Sequence, residues 1–245
     1  TRIHGQGGLG RVWVARDNDL NREVAFKELQ GQRANSPEAK ARFMKEAQIT
    51  GQLEHPNIVP VYELGSRSNE QPYYTMRFLR GQTLRHAIAE HHKRRQKGEA
   101  DPLELRRLLG AFVGVCHALA YSHSRGVVHR DVKPSNIALG NFGEVVLLDW
   151  GLAKIAHAEG NVSETLALTE GASGGETQAG RALGTPSYMA PEQAEGQLDL
   201  IGPQTDIYGL GSTLFEILTS RPPHKGENTA ETLDRIIKGD TPQAR

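Results

Sequence analysis

Cysteine is nearly missing from this sequence, with Cys116 alone among 245 residues. That excludes an internal disulfide and a cysteine-built zinc cage, and it fits a soluble protein of a reducing compartment. Neither sign of charge is in excess, because 29 Lys and Arg face 29 Asp and Glu. Net charge therefore gives no reason to expect binding to nucleic acid or to an anionic membrane surface. Long apolar runs are missing as well. None approaches the roughly 18 residues of a membrane span, and no basic stretch followed by an apolar one marks a signal peptide. No repeat of fixed period is present. Hydrophobic residues make up 37%, a modest share that a chain of this length can still gather into a core. The chain opens Thr1-Arg2-Ile3-His4 without an initiator methionine and with scarcely room for a first strand, and 239–245 holds no closing helix. A fragment of a longer chain, truncated at both ends, is expected.

What is present falls into two halves. Residues 11–29 set Val12 and Val14, then Val24, Ala25 and Phe26, on either side of the turn pair Asn18-Asp19, which reads as two antiparallel strands. Ser36-Pro37-Glu38 opens a helix, with Ser36 as cap and Pro37 in its first position, and Phe43 and Ala47 carry it to about Gln52. After the turn His55-Pro56-Asn57, residues 58–64 and 73–78 read as two more strands. Beyond Gly81 the pattern becomes helical. Leu105, Leu108, Phe112, Cys116 and Leu119 recur at spacings of three and four, predicting a helix from about Pro102 to Ser124. Residues 207–218 repeat that pattern. Residues 156–181, rich in Gly, Thr, Ser and Glu, read as a mobile loop. The basic run from His91 to Lys97 falls between predicted helices and is expected to be a solvated loop or helix face. A small β-rich unit followed by a helical one predicts a cleft between them, a common place for a ligand.

Several motifs carry chemistry. Gly5-x-Gly7-x-x-Gly10-x-Val12 lies between two strands, which argues against a dinucleotide-binding fold, where a helix must follow. Two readings stay open: backbone N–H groups approaching phosphate oxygens, or a tight hairpin. Lys27, in Val24-Ala25-Phe26-Lys27, is costly to bury unpaired. It either snorkels to solvent or is held against phosphate by Glu46 of the following helix. His129-Arg130-Asp131-Val132-Lys133-Pro134-Ser135-Asn136 follows the long helix, Leu148-Asp149-Trp150-Gly151 follows the apolar strand 145–148, and Ala190-Pro191-Glu192 comes last. In this order the motifs resemble the protein-kinase signature set. The sequence is similar to the eukaryotic-like (Hanks-type) Ser/Thr protein kinases of bacteria over essentially its whole length.

The resemblance implies an α+β, two-lobed protein kinase fold: a small β-rich N-lobe with one main helix (1–78) and a larger α-helical C-lobe (79–245), with an activation segment at 149–192. It implies ATP and Mg²⁺ as cofactors and protein Ser/Thr hydroxyls as acceptors. Gly5, Gly7, Gly8 and Gly10 would cover the phosphates. Lys27 would hold the α- and β-phosphates, with Glu46 orienting it. Asp131 would accept the substrate hydroxyl proton, Lys133 would neutralise the γ-phosphate, and Asn136 and Asp149 would ligate the metal through hard oxygen atoms. Val12 and Ala25 would lie over adenine, with Ala138 or its neighbour Leu139 beneath. Met76 would limit the back pocket, and Arg77, Phe78 and Leu79 would form the hinge.

Further expectations follow from the family. Lys133-Pro134 and Gly184-Thr185-Pro186-Ser187-Tyr188-Met189 are of the Ser/Thr-directed type, with Thr185 bridging Asp131 and Lys133. Arg130 is available to a phosphate on the activation segment, where Thr177 is the expected site of autophosphorylation and Thr165, Thr169 and Ser173 are further candidates. Asp206 would brace the catalytic-loop backbone, and Glu192 would pair with an arginine of a later helix that the sequence does not contain. Trp150 stands where the family usually has Phe, and activity is expected to survive the change. Homodimerisation through the small lobe, a cytoplasmic location and a membrane anchor elsewhere in the full-length protein are expectations of the same kind. Two other readings differ at the residues. An ATP-binding pseudokinase scaffold would have lost a phosphate- or metal-handling residue, and none is missing. A small-molecule kinase would lack the long activation segment and Ala190-Pro191-Glu192.

Overall fold

The computed structural model describes residues 2–6, 10–29, 36–68, 70–99, 101–155 and 186–240. Gly7, Gly8, Thr165, Thr169, Ser173, Thr177 and Thr185, and the loop expected at 156–181, lie outside them.

The N-terminal part is a five-stranded antiparallel sheet with one helix against it. Strands β1 (Arg2–Gln6), β2 (Gly10–Asp17) and β3 (Arg22–Leu29) run on into helix α1 (Pro37–Gly51), then β4 (Val61–Ser66) and β5 (Pro72–Arg77), in the spatial order β1-β2-β3-β5-β4. The first strand, for which the sequence left scarcely any room, does form, with a register shift between Ile3 and Gly5. Register places Val12 opposite Lys27, and Lys27 opposite Tyr74; one step along, Val14 faces Ala25 and Ala25 faces Met76. Directly opposed residues share a sheet face, and so do residues two apart. Lys27, Tyr74, Ala25 and Met76 therefore look the same way.

Helix α1 starts where a serine before a proline should start it. The Ser36 hydroxyl accepts from the Ala39 N–H at 3.3 Å, and Pro37 occupies the first turn. Its inner face carries Phe43, Glu46, Ala47, Ile49 and Thr50. Phe43 and Ala47 pack with Leu29 and Tyr74, while Ile49 joins the core of the second lobe.

The second lobe is mainly helical. Strand β6 (Gly81–Thr83) leads to α2 (Leu84–Gln96) and α3 (Pro102–Ser124). Then come β7 (Val127–Val128), β8 (Ile137–Gly140), β9 (Val145–Leu147) and β10 (Lys154–Ile155). Helices α4 (Pro191–Ala194), α5 (Pro203–Thr219) and α6 (Thr229–Ile237) complete it. Val115, Leu119, Trp150 and Ile217 lie in one core with α1's Ile49.

The histidines of the basic run correct the expectation of a solvated segment. His91 and His92 lie inside α2 and are buried, although Lys93, Arg94, Arg95 and Lys97 are exposed. Leu84, Ile88 and His91 recur at spacings of four and three, so the first histidine continues an apolar helical face. Polar partners offset its burial and that of its neighbour: His91 Nδ1 lies 3.3 Å from Glu104 Oε2, and His92 Nε2 lies 2.9 Å from the Ile217 carbonyl. No described helix is long and apolar enough to cross a membrane.

Candidate active site

Two clusters of charged residues arise from different elements. In the first, β3 supplies Lys27 and α1 supplies Glu46. Lys27 Nζ sits 2.5 Å from Glu46 Oε1 and 3.7 Å from Asp149 Oδ1. Burial by itself would lower the lysine pKa, but the carboxylates of Glu46 and Asp149 outweigh it, and the ammonium is held well above its ordinary value. The Asp149 side chain is still 52% exposed, so it keeps room for another partner. A third residue shares this cluster, and sequence reasoning missed it: the Tyr74 hydroxyl donates to the same Glu46 oxygen at 2.7 Å.

The second cluster is the loop after β7. Lys133 Nζ is 2.6 Å from Asp131 Oδ2. Asn136 Nδ2 donates to the Asp131 carbonyl at 2.9 Å and to Oδ2 at 3.0 Å. Both donors fix the Asp131 carboxylate. Because the Asn136 amide nitrogen is committed to these bonds, its Oδ1 is the atom left to meet a cation. The Asn136 carbonyl also accepts from the Leu148 N–H at 2.8 Å, which ties this loop to the segment carrying Asp149.

The backbone before Asp131 is clamped from two sides. Arg130 has φ of 72° and Asp149 of 63°, both in the left-handed region that non-glycine residues avoid. Asp206, buried in α5, accepts from the His129 N–H at 2.8 Å and the Arg130 N–H at 2.7 Å, the bracing expected of it. His123 Nε2 meets the same carboxylate at 2.7 Å. On the other side, Gln193 of α4 donates to the Arg130 carbonyl at 2.8 Å and accepts from the Ala190 N–H at 3.1 Å. His123 and Gln193 were also missed. The one signal for Gln193 is its place directly after Ala190-Pro191-Glu192. Glu192 itself accepts from the Thr205 hydroxyl at 2.6 Å.

Trp150 is 1% exposed and fills the second core, its ring edge-on to His129 with centroids 4.6 Å apart. Its Nε1 has no hydrogen-bond partner among the described residues. The Arg130 side chain is buried as well, and its Nε is likewise unpartnered. That burial pushes its pKa down, an effect the Asp206 carboxylate opposes.

The remaining expected residues divide. Val12, Ala25 and Met76 lie on the Lys27 face of the sheet, and Ala138 lies in β8 opposite Thr83 and Val146. Phe78 and Leu79 line a cavity of about 440 Å³ with Glu23, Arg80, Phe142 and Glu144, a lining that does not include the other four. Arg77 pairs with Glu144 at 3.1 Å and Arg80 with Glu23 at 2.6 Å, so two ion pairs tie the lobes where they join. At Gly10 the structure supplies a reason unrelated to phosphate: a Cβ there would stand 2.3 Å from the Glu28 carbonyl oxygen. Gly5 lies in β1 at the register shift.

A family model described as the protein kinase domain matches residues 1–243. The chain is 41% identical over 239 residues to serine/threonine-protein kinase PknD of Protochlamydia amoebophila, covering 96% of this chain and 24% of that protein. It is 39% identical over 227 residues to the PknD of Chlamydia pneumoniae, covering 91% and 24%. To a probable serine/threonine-protein kinase of Streptomyces coelicolor it is 36% identical over 245 residues, covering 99% and 33%. The chain thus spans between a quarter and a third of the length of these relatives.

Proposed function

The chain belongs to the protein kinase family, as a serine/threonine kinase domain of the bacterial Hanks type, and from that premise we infer that it transfers the terminal phosphoryl group of Mg²⁺-bound ATP to serine and threonine hydroxyls of proteins. The observation that carries this reading is the pair of ionic clusters described above. A buried, fully charged Lys27 stands beside a half-exposed Asp149, and a separately fixed Asp131 stands beside Lys133 and Asn136.

The donor set fits magnesium nucleotide. Asp149 and Asn136 offer a carboxylate and an amide oxygen, the hard donors that Mg²⁺ takes, and Lys27 and Lys133 offer point charges suited to phosphate. When bound, the metal and triphosphate supply the transferable phosphoryl group and neutralise the charge that develops on it. The protein's part is positioning. Lys27, kept charged by Glu46, holds the inner phosphates. Asp131 accepts the proton of the incoming hydroxyl and aligns its oxygen. Lys133 has its ammonium on Asp131 Oδ2, where it can also meet the oxygens of the transferring group. Val12, Ala25, Met76, Phe78, Leu79 and Ala138 take the adenine side, and Gly5, Gly7, Gly8 and Gly10 the phosphate side.

Autophosphorylation of the 149–192 segment, with Thr177 as acceptor, belongs to the same reading. Its support is the buried Arg130 guanidinium, whose Nε has no partner among the described residues, a ready partner for an added phosphate. Thr185 keeps its proposed place between Asp131 and Lys133. Protein substrates, dimerisation and a cytoplasmic setting are proposals on the same footing.

The test is incubation of wild type and Asp131→Asn with labelled ATP, Mg²⁺ and a basic protein. Wild type labels the substrate and itself, and the variant is slower by about 10²–10⁴-fold, the usual weight of a positioned general base. ATP binding without transfer by wild type would replace the enzyme with a scaffold.

A further inference from the structure

We propose that Tyr74 is a third member of the Lys27–Glu46 pair, a positioning residue whose phenol O–H holds the Glu46 carboxylate, and with it helix α1, where Lys27 can be aimed. The inference rests on the kinase reading above and deepens it at one side chain.

Glu46 lies on the buried face of α1 and is 2% exposed. A carboxylate there needs donors. It finds two, and both reach one oxygen: Lys27 Nζ at 2.5 Å and Tyr74 Oη at 2.7 Å. The second oxygen, Oε2, has no hydrogen-bond partner among the described residues. Strand register makes this meeting unavoidable. Lys27 and Tyr74 are directly opposed across β3 and β5, and the ammonium lies 5.6 Å from the tyrosine ring centre.

The phenol does something that lysine cannot do alone. Lys27 must also serve the phosphates, and a bound triphosphate competes with Glu46 for its protons. Tyr74 has no such second task. It is 3% exposed, and burial together with the Glu46 carboxylate keeps its hydroxyl protonated. The O–H is therefore a standing donor. Because it is neutral, it satisfies Glu46 without repelling the lysine, as a second cation would. Packing explains the ring but not the hydroxyl: the ring meets Phe43 of α1 with centroids 5.1 Å apart, and phenylalanine would fill that space equally well.

Tyr74→Phe separates the two roles, since it removes one oxygen and keeps the ring. Two readouts need no turnover: Mg²⁺-ATP affinity by calorimetry, and amide exchange of α1 in the nucleotide-free protein. The expected result is affinity weaker by about tenfold, the weight of one hydrogen bond to a charged partner, and faster exchange along Pro37–Gly51. In a Glu46→Gln background the same substitution should add much less to either readout, because its effect passes through that carboxylate. Unchanged affinity and exchange, or an undiminished effect in the Glu46→Gln background, would overturn the proposal. If Tyr74→Phe does not fold, a fluorinated tyrosine at position 74 takes its place. A stronger O–H donor should then slow α1 exchange, and no change would again overturn it. Wild type that binds nucleotide and shows the α1 effect but transfers no phosphate would overturn the kinase reading and leave Tyr74's role standing.

Discussion

Lys27 and Glu46 are both buried, and each is the main reason the other can be. Removing one leaves the other as an uncompensated charge, a loss of about 3–5 kcal/mol in typical cases. Lys27→Met should fall at the low end of that range, because Tyr74 still donates to Glu46. A denaturant midpoint near wild type would show that the pair contributes little. At this scale the sequence was most informative where a role needs a fixed short spacing. Asp131, Lys133 and Asn136 fall within six consecutive positions, so their motif announces them. Tyr74, His123 and Gln193 could not be read in the same way. Their partners lie 28, 83 and 63 positions away, and no pattern along the chain records a hydrogen bond made across it. Trp150 is intermediate: the sequence showed the exchange for phenylalanine, but only the folded core shows an indole N–H without a partner among the described residues.

Among the elements, α5 bears most directly on the site, because it carries Asp206 under the loop that holds Asp131. The contact is close. A Cβ added at Gly209 would lie 2.9 Å from Val132 Cβ and 3.1 Å from the Val132 carbonyl oxygen. Gly209→Ala must therefore push the helix and the loop apart. The expected cost is about 1–3 kcal/mol, as for other overpacked sites, together with a loss of phosphate transfer greater than the loss of nucleotide affinity. Steady-state kinetics beside equilibrium binding would separate the two, and equal losses would count against this account. Helix α1 was legible because its cap and its apolar positions agree, and α3 because its apolar spacing runs unbroken over its length. Helix α2 was harder to see: its inner face is completed by histidine, which reads as polar until the partners at Glu104 and Ile217 are in place. Strand β1 was harder still, since Ile3 alone among its five residues is a large apolar one, which leaves little alternation to read.

Over the whole molecule, acid should weaken the fold. His224 is 2% exposed and contacts the Tyr208 hydroxyl at 2.8 Å. Burial pushes its pKa below the ordinary 6.5, against a smaller opposing effect of Asp240. His55 is pushed the same way by burial and by His117. Below about pH 6.5 the unfolded chain then binds more protons than the native one, so stability is complete above that pH and is lost as pH falls. Melting temperature should hold above about pH 6.5 and drop below it, and His224→Gln should flatten the slope; a rise toward acid would contradict the assignment. The two-lobed plan was legible from the change of periodicity near Gly81, but the ties Arg77–Glu144 and Arg80–Glu23 were not, since each joins residues that only the hinge brings together. The left-handed turns at Arg130 and Asp149 have a longer consequence. An L-residue there gives up about 1–2 kcal/mol that glycine would not, so a glycine at either point would relieve that backbone cost, at the expense of a buried cation in one case and the carboxylate beside Lys27 in the other. Breeding this protein for heat resistance and breeding it for turnover would pull the same two positions in opposite directions.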